Sequence, residues 1–136
     1  MKTNTYNGFD GLLEIMDKLL GEDGCPWDKE QTHESLCKNL IEECNEAIEA
    51  INNKDMTSLV DELGDVLLQV VFHAKLAEQA NAFTIDDVIA AISNKLINRH
   101  THVFGGEKAK TAEEALQIWK ANKQKERNIT PSQKPI

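Results

Sequence analysis

Residues 39–51 read NLIEECNEAIEAI, and the fold turns on how this stretch is read. Leu40, Ala47, Ile48 and Ile51 recur at helical spacing without a glycine or proline between them, so the segment is an amphipathic helix. Its oddity is charge. Glu42, Glu43, Glu46 and Glu49 crowd into one stretch that holds no lysine or arginine. Like charges three or four apart on a helix repel by roughly a few tenths of a kcal/mol per pair. Something outside the helix has to offset that repulsion.

Working outward, every well-patterned segment is helical and none alternates as a strand does. A first helix is expected from about Gly8 to Leu20, closed by the loop GEDGCPWD with its two glycines and a proline. The acidic helix spans roughly His33 to Asn52, with a core face centred on Leu36, Leu40, Ala47 and Ile51. After the turn NNKD, Asp55 or Thr57 caps a long third helix reaching about Gln79. Met56, Leu59, Val60, Leu63, Val66, Leu67, Val70, Val71 and Ala74 form its apolar stripe. Thr84 with Asp87, and Thr111 with Glu114, read as capping boxes for a fourth helix to about His102 and a fifth to about Arg127. The expectation is therefore an all-α antiparallel bundle of about five helices. Residues 1–128 form one domain and 129–136 a flexible tail.

Composition agrees with a globular chain. The 136 residues are 40% hydrophobic and 28% charged, with a formal net charge of -8. That balance argues against a nucleic-acid partner, which needs a basic face. No apolar run is long enough to span a membrane. Three cysteines, Cys25, Cys37 and Cys44, fit a reduced, cytoplasmic protein better than a disulfide framework. Together with His33 they lack the short pairs of a structural zinc site.

On a helical wheel Glu43 falls about 60° from Leu40, and Glu46 about 60° further round. Glu62 and Asp65 form a second i, i+3 pair beside the apolar face of the third helix. Packed together, the two helices bring these four acids into one cleft. Two like charges 4 Å apart cost on the order of 4 kcal/mol in partly shielded surroundings. An all-carboxylate set suits Mg²⁺, with Mn²⁺ as the alternative, rather than zinc. Acidic helices are also commonly just solvated, so the acids alone do not decide the matter.

Two further features bear on it. Arg99 projects within the apolar sector of the fourth helix, whose core face is Ile85, Val88, Ile89, Ile92 and Leu96, with Lys95 one turn earlier. A charge aimed at a core needs a partner, either a structural carboxylate or a multiply charged anion. Trp119 shares a face with Ala112, Ala115 and Leu116, and Lys123 follows one turn later. Separately these are a core tryptophan and a solvated lysine. As a set, acids for metal and cations for phosphate describe a metal–polyphosphate site.

Glu42-Glu43-x-x-Glu46 followed by Glu62-x-x-Asp65 resembles the signature of the MazG-type nucleoside triphosphate pyrophosphohydrolases. GCPWDKEQTHESL, DELGDVLLQVVFHA, ISNKLINRHTHVFG and WKANKQKER continue the likeness from about Leu12 to Arg127. GCPWD and RHTHVF look most like the first repeat of two-repeat members. The resemblance implies an all-α hydrolase that cleaves the α–β bond of a nucleoside triphosphate, giving monophosphate and pyrophosphate and clearing surplus or noncanonical nucleotides. Glu43, Glu46, Glu62 and Asp65 match the Mg²⁺ ligands. Lys95, Arg99, Trp119 and Lys123 match nucleotide-contacting positions. Glu42 is a candidate general base. The resemblance also implies a homodimer or higher homo-oligomer that completes the bundle. Asn39 and Ser58 depart from it, standing where members often carry lysines.

Trp27 has two readings, a platform for a nucleobase or a plug for the end of the bundle. His73 and His100 read as structural. A different class of function is a catalytically weak or inactive helical module that binds nucleotide or drives assembly. The intact acid set favours the hydrolase. A redox di-metal bundle is disfavoured because neither acid pair has the Glu-x-x-His pattern.

Overall fold

A computed structural model describes residues 5–129, so the expected tail lies outside the described residues beyond Ile129. The described chain is all helical, with no strand. Its helices are α1 (Gly8–Leu20), α2 (Pro26–Lys29), α3 (Cys37–Asn52), α4 (Met56–Gln79), α5 (Ile85–Arg99), α6 (Thr101–Phe104) and α7 (Ala112–Ile129). The five long helices are those expected, except that the acidic helix starts at Cys37 rather than His33, residues 33–36 forming a turn; α2 and α6 are single turns. None is long and apolar enough to cross a membrane among the described residues. The chain forms two compact units divided between Ile85 and Asp86.

In the first unit, α3 and α4 form an antiparallel hairpin whose ends follow from local chemistry. Asn53 ends α3, Lys54 adopts φ 55°, and the amides of Lys54 and Asp55 donate back to the carbonyls of Ile51 and Ala50. This is a Schellman closure with a lysine in the left-handed position. Asp55 then accepts from the Ser58 amide at 3.1 Å and caps α4. The same closure ends α4, with Asn81 at φ 58° and the Ala82 amide donating to Ala77. Gly24, in the loop after α1, is required by close approach: a Cβ there would run into the carbonyl oxygens of Lys18 and Leu19.

The buried core joins Met16 and Leu20 of α1, Leu36 and the Val71–Phe72 pair of α4. Lys75 pairs with Asp17, and the Gln79 side chain donates to the Leu20 carbonyl at 2.9 Å, fastening α1 to the same half of α4. Met16 is 1% exposed at the centre of this cluster. Met16→Ala should lower unfolding free energy by about 3 kcal/mol through lost burial and a residual cavity. Chemical denaturation checks this, and a loss below about 1 kcal/mol would show that the site collapses around the gap.

Three expected core faces are not fully covered. Val71 and Ala74 are buried, but Met56, Val60, Leu63, Leu67 and Val70 of the same stripe are 40–72% exposed. Ile51, expected inside, is 53% exposed. The reason is reach, since α1 covers α4 only around residues 68–76. In the second unit α6 packs on α7, while Ile89, Ile92 and Leu96 of α5 are 41–49% exposed. Helix α5 also stops at Arg99 rather than His102, because His100 leaves helical geometry at φ -115°, ψ 55°.

Candidate metal centre and nucleotide-contacting residues

Four carboxylates converge on the α3–α4 hairpin. Glu43, Glu46, Glu62 and Asp65 each offer an oxygen, and these oxygens all lie within 4.8 Å of one another. Glu43 sits on the α3 face that also buries Ala47 and Ala50. One oxygen each of Glu43 and Glu62 is buried without a hydrogen-bond partner. Both groups titrate high. Burial, then the charges of Glu46 and Asp65, push the Glu43 carboxyl up. Sharing a hydrogen bond with Glu46, then burial and the neighbouring charges, push Glu62 up to about 6. An orphaned, all-oxygen donor set of this kind fits a hard divalent cation. Glu42 is exposed and lies outside the cluster. The cysteines are free, and no other group of three or more metal-ligating side chains comes together among the described residues.

The turn before α3 is tightly built. Thr32 and Ser35 exchange side-chain and amide hydrogen bonds at 2.8 and 3.0 Å, and Gln31 donates to the Trp27 carbonyl at 3.0 Å. His33 stacks on His73 with Nδ1 atoms 2.7 Å apart, tying this turn to α4. Trp27 itself is 62% exposed, so it does not plug the bundle. The plug reading fails because the Pro26–Lys29 turn carries no buried residue and presents the indole outward.

In the second unit, Arg99 does have a structural carboxylate. Its Nε and Nη2 donate to the same oxygen of Glu126 at 3.1 and 2.9 Å. The side chain is only 12% exposed, which explains why an arginine sits in an apolar sector. Arg99 and Lys123 also stand 5.6 and 4.9 Å from the Trp119 ring centroid, within cation–π range. Lys95 is half-buried and makes no ion pair among the described residues. Sequence reading missed Glu126, Asn122 and His102. Asn122, 8% exposed, donates from Nδ2 to Thr101 at 2.9 Å and so fixes the corner after α5. An asparagine inside the WKANK run was the available signal for it.

Residues 31–104 match the family described as the MazG nucleotide pyrophosphohydrolase domain. Among relatives, the uncharacterized protein YabN of Bacillus subtilis is 46% identical over 127 residues, covering 93% of this chain and 26% of that protein. The nucleoside triphosphate pyrophosphohydrolase/pyrophosphatase MazG of Thermotoga maritima is 59% identical over 97 residues, 71% of this chain and 38% of that protein. The nucleoside triphosphate pyrophosphohydrolase of Escherichia coli K12 is 45% identical over 122 residues, 89% and 46% respectively. The chain thus spans less than half the length of each of these relatives. A solved structure of a mazG-related protein from Thermotoga maritima superposes with a TM-score of 0.70 at 31% identity, covering 83% of this chain and 96% of that one. With its signature acids gathered on one hairpin and this likeness along most of its length, the chain belongs to the MazG nucleotide pyrophosphohydrolase domain family.

Proposed function

We propose that the chain hydrolyses nucleoside triphosphates at the α–β bond, with Mg²⁺ held by Glu43, Glu46, Glu62 and Asp65, and with Mn²⁺ as the alternative ion. The observation that carries this reading is the convergence of four carboxylates, two with buried, unpartnered oxygens. When bound, the cation supplies neutralisation of phosphate charge and orientation of a water toward the α-phosphorus. The chain's own groups do the rest. Glu42, outside the cluster and exposed, is the base candidate that takes the water's proton. Lys95 and Lys123 hold phosphate oxygens, and Trp119 and Trp27 offer aromatic faces to the nucleotide. Arg99 serves partly through Glu126, so its share of phosphate binding depends on that ion pair's exchange. The reading treats residues 1–128 as one working domain in the cytoplasm, removing surplus or noncanonical triphosphates. Incubation with a panel of ribo- and deoxyribonucleoside triphosphates, with Mg²⁺ or with chelator, tests it. Turnover only with metal is expected; turnover undiminished by chelator would contradict it.

A homodimer is part of the proposal. The exposed Ile41, Ile48 and Ile51 of α3, with the half-buried Cys44 among them, are spaced 3, 4 and 3 apart. The exposed apolar positions of α4, Met56, Val60, Leu63, Leu67 and Val70, are spaced 4, 3, 4 and 3. Such seams are what a coiled-coil-like interface uses, and an isologous pairing of two hairpins makes a four-helix bundle.

The raised acids also predict how metal and pH act together. A carboxyl whose folded pKa lies above its unfolded value contributes stability that is complete at low pH. That contribution is lost as pH rises through the folded value, about 6 for Glu62. His73, held low by burial and by His33, works the other way and loses stability as pH falls. It is independent of the metal, so the difference between Tm with and without Mg²⁺ isolates the acids. That difference should grow by several degrees between about pH 5 and about pH 8. An equal Mg²⁺ effect at both ends would contradict the assignment.

A further inference from the structure

A pocket of about 370 Å³ in the second unit is lined by His100, His102, Ala112, Ala115, Leu116 and Trp119. Its size falls within the range of small-molecule sites, and its walls are apolar apart from two imidazoles and an indole. Each imidazole has its tautomer set by its surroundings. His100 Nδ1 lies 2.6 Å from the Leu96 carbonyl oxygen, which can only accept, so Nδ1 carries a proton and, in the neutral ring, Nε2 is the acceptor. His102 Nδ1 is buried with no hydrogen-bond partner. A buried N–H without an acceptor is rarer and costlier than an unused lone pair, so the neutral ring keeps its proton on Nε2. The two centroids are 5.5 Å apart with the rings tilted at 46°. One acceptor and one donor therefore stand side by side in the same wall.

The surroundings say what kind of ligand this suits. Trp119 also borders a second pocket of about 200 Å³ whose charged lining is all basic, Lys120, Lys123 and Arg127. A molecule that is flat and hydrogen-bonding at one end and anionic at the other fits both sides of the indole. The histidine wall is preset, because Asn122 holds Thr101 and Thr101 donates to Glu107 at 3.0 Å. We infer that this pocket takes the base of a nucleotide, with its ring against Trp119 and its edge read by the Nε2 atoms of His100 and His102. Nucleobase edges present adjacent donors and acceptors, and their faces stack on aromatic rings. His100, which reads as structural in the sequence, thereby becomes a specificity residue. The inference rests on the nucleotide-hydrolase reading and extends it to base selection.

The test compares kcat/KM for adenine, guanine, cytosine and uracil triphosphates in the parent, His102→Phe, His100→Phe and His102→Gln. Each Phe variant keeps a ring but removes the polar edge, so the spread between best and worst base should shrink by about tenfold. His102→Gln restores a donor and should recover part of it. Phe variants that keep the parent's order and spread would overturn the inference, as would a parent that treats all four bases alike. If the Phe variants lose their helical circular dichroism, ¹⁵N resonances of the histidines in the unaltered chain decide. Nucleoside monophosphates should shift the His100 and His102 ring nitrogens, and unmoved resonances would refute the assignment. Binding seen this way without triphosphate turnover would support the pocket and sink the hydrolase reading; turnover without any histidine effect would do the reverse.

Discussion

Glu62→Gln should lower turnover by at least about a hundredfold while leaving the helices intact. Glutamine keeps the size and shape of the side chain and removes one of the four charges gathered at the α3–α4 hairpin. The Glu62 carboxyl is pushed up by its shared hydrogen bond with Glu46, by burial and by three neighbouring carboxylates, so its charge sits there at a cost that a proton or a cation relieves. Without metal, the variant should melt at or above the parent's temperature, because a repelling charge has gone. With metal, it should lose most of the Mg²⁺-induced rise in Tm that the parent shows. Steady-state kinetics at saturating Mg²⁺ and thermal melts with and without the ion provide both readouts. A variant hydrolysing at the parent rate would remove Glu62 from the metal set.

The second large effect concerns assembly. Ile48→Glu with Leu67→Glu places a carboxylate in each of the two exposed heptad seams, at positions 52% and 40% exposed in the single chain. Neither residue belongs to the buried cluster around α1, so the hairpin of one protomer should still fold. A second copy pairing over these seams would bury the new charges without partners, which costs several kcal/mol per site. The dissociation constant should therefore rise by at least about a thousandfold. Sedimentation at micromolar concentration should find the parent a dimer and the double variant a monomer. If both sediment as monomers, the seams face something other than a second copy. If both remain dimers, the interface lies elsewhere.

What the sequence made legible, and what it did not, divides along a physical line. Helix starts with a capping side chain were readable because capping is local: Asp55 accepts from Ser58 as its position implies, and Thr111 accepts from the Glu114 amide at 3.1 Å, whereas the uncapped α3 starts at Cys37 rather than His33. The acid set was readable because i, i+3 spacing fixes relative direction on a helix, and a three-residue turn forces α3 and α4 side by side. Periodicity identifies an apolar face but not what covers it, so Leu63 and Ile51 were expected inside although they are 52% and 53% exposed. Partners far apart in sequence were equally hidden. Glu126 meets Arg99 from 27 residues away, and His33 meets His73 from 40. The break at His100 lacks any glycine or proline; it depends on the Asn122 and Thr101 contacts that only the folded corner supplies.

The most direct measurement of the central claim is hydrolysis of a nucleoside triphosphate in ¹⁸O-labelled water, with Mg²⁺ and with chelator, followed by mass analysis of the separated products. Water attacking the α-phosphorus gives monophosphate carrying the label and unlabelled pyrophosphate, and this should occur only with the metal present. Label in the pyrophosphate would move the attack to the β-phosphorus. Diphosphate with orthophosphate, or the same products in chelator, would contradict a metal-dependent α–β hydrolase built on these four carboxylates.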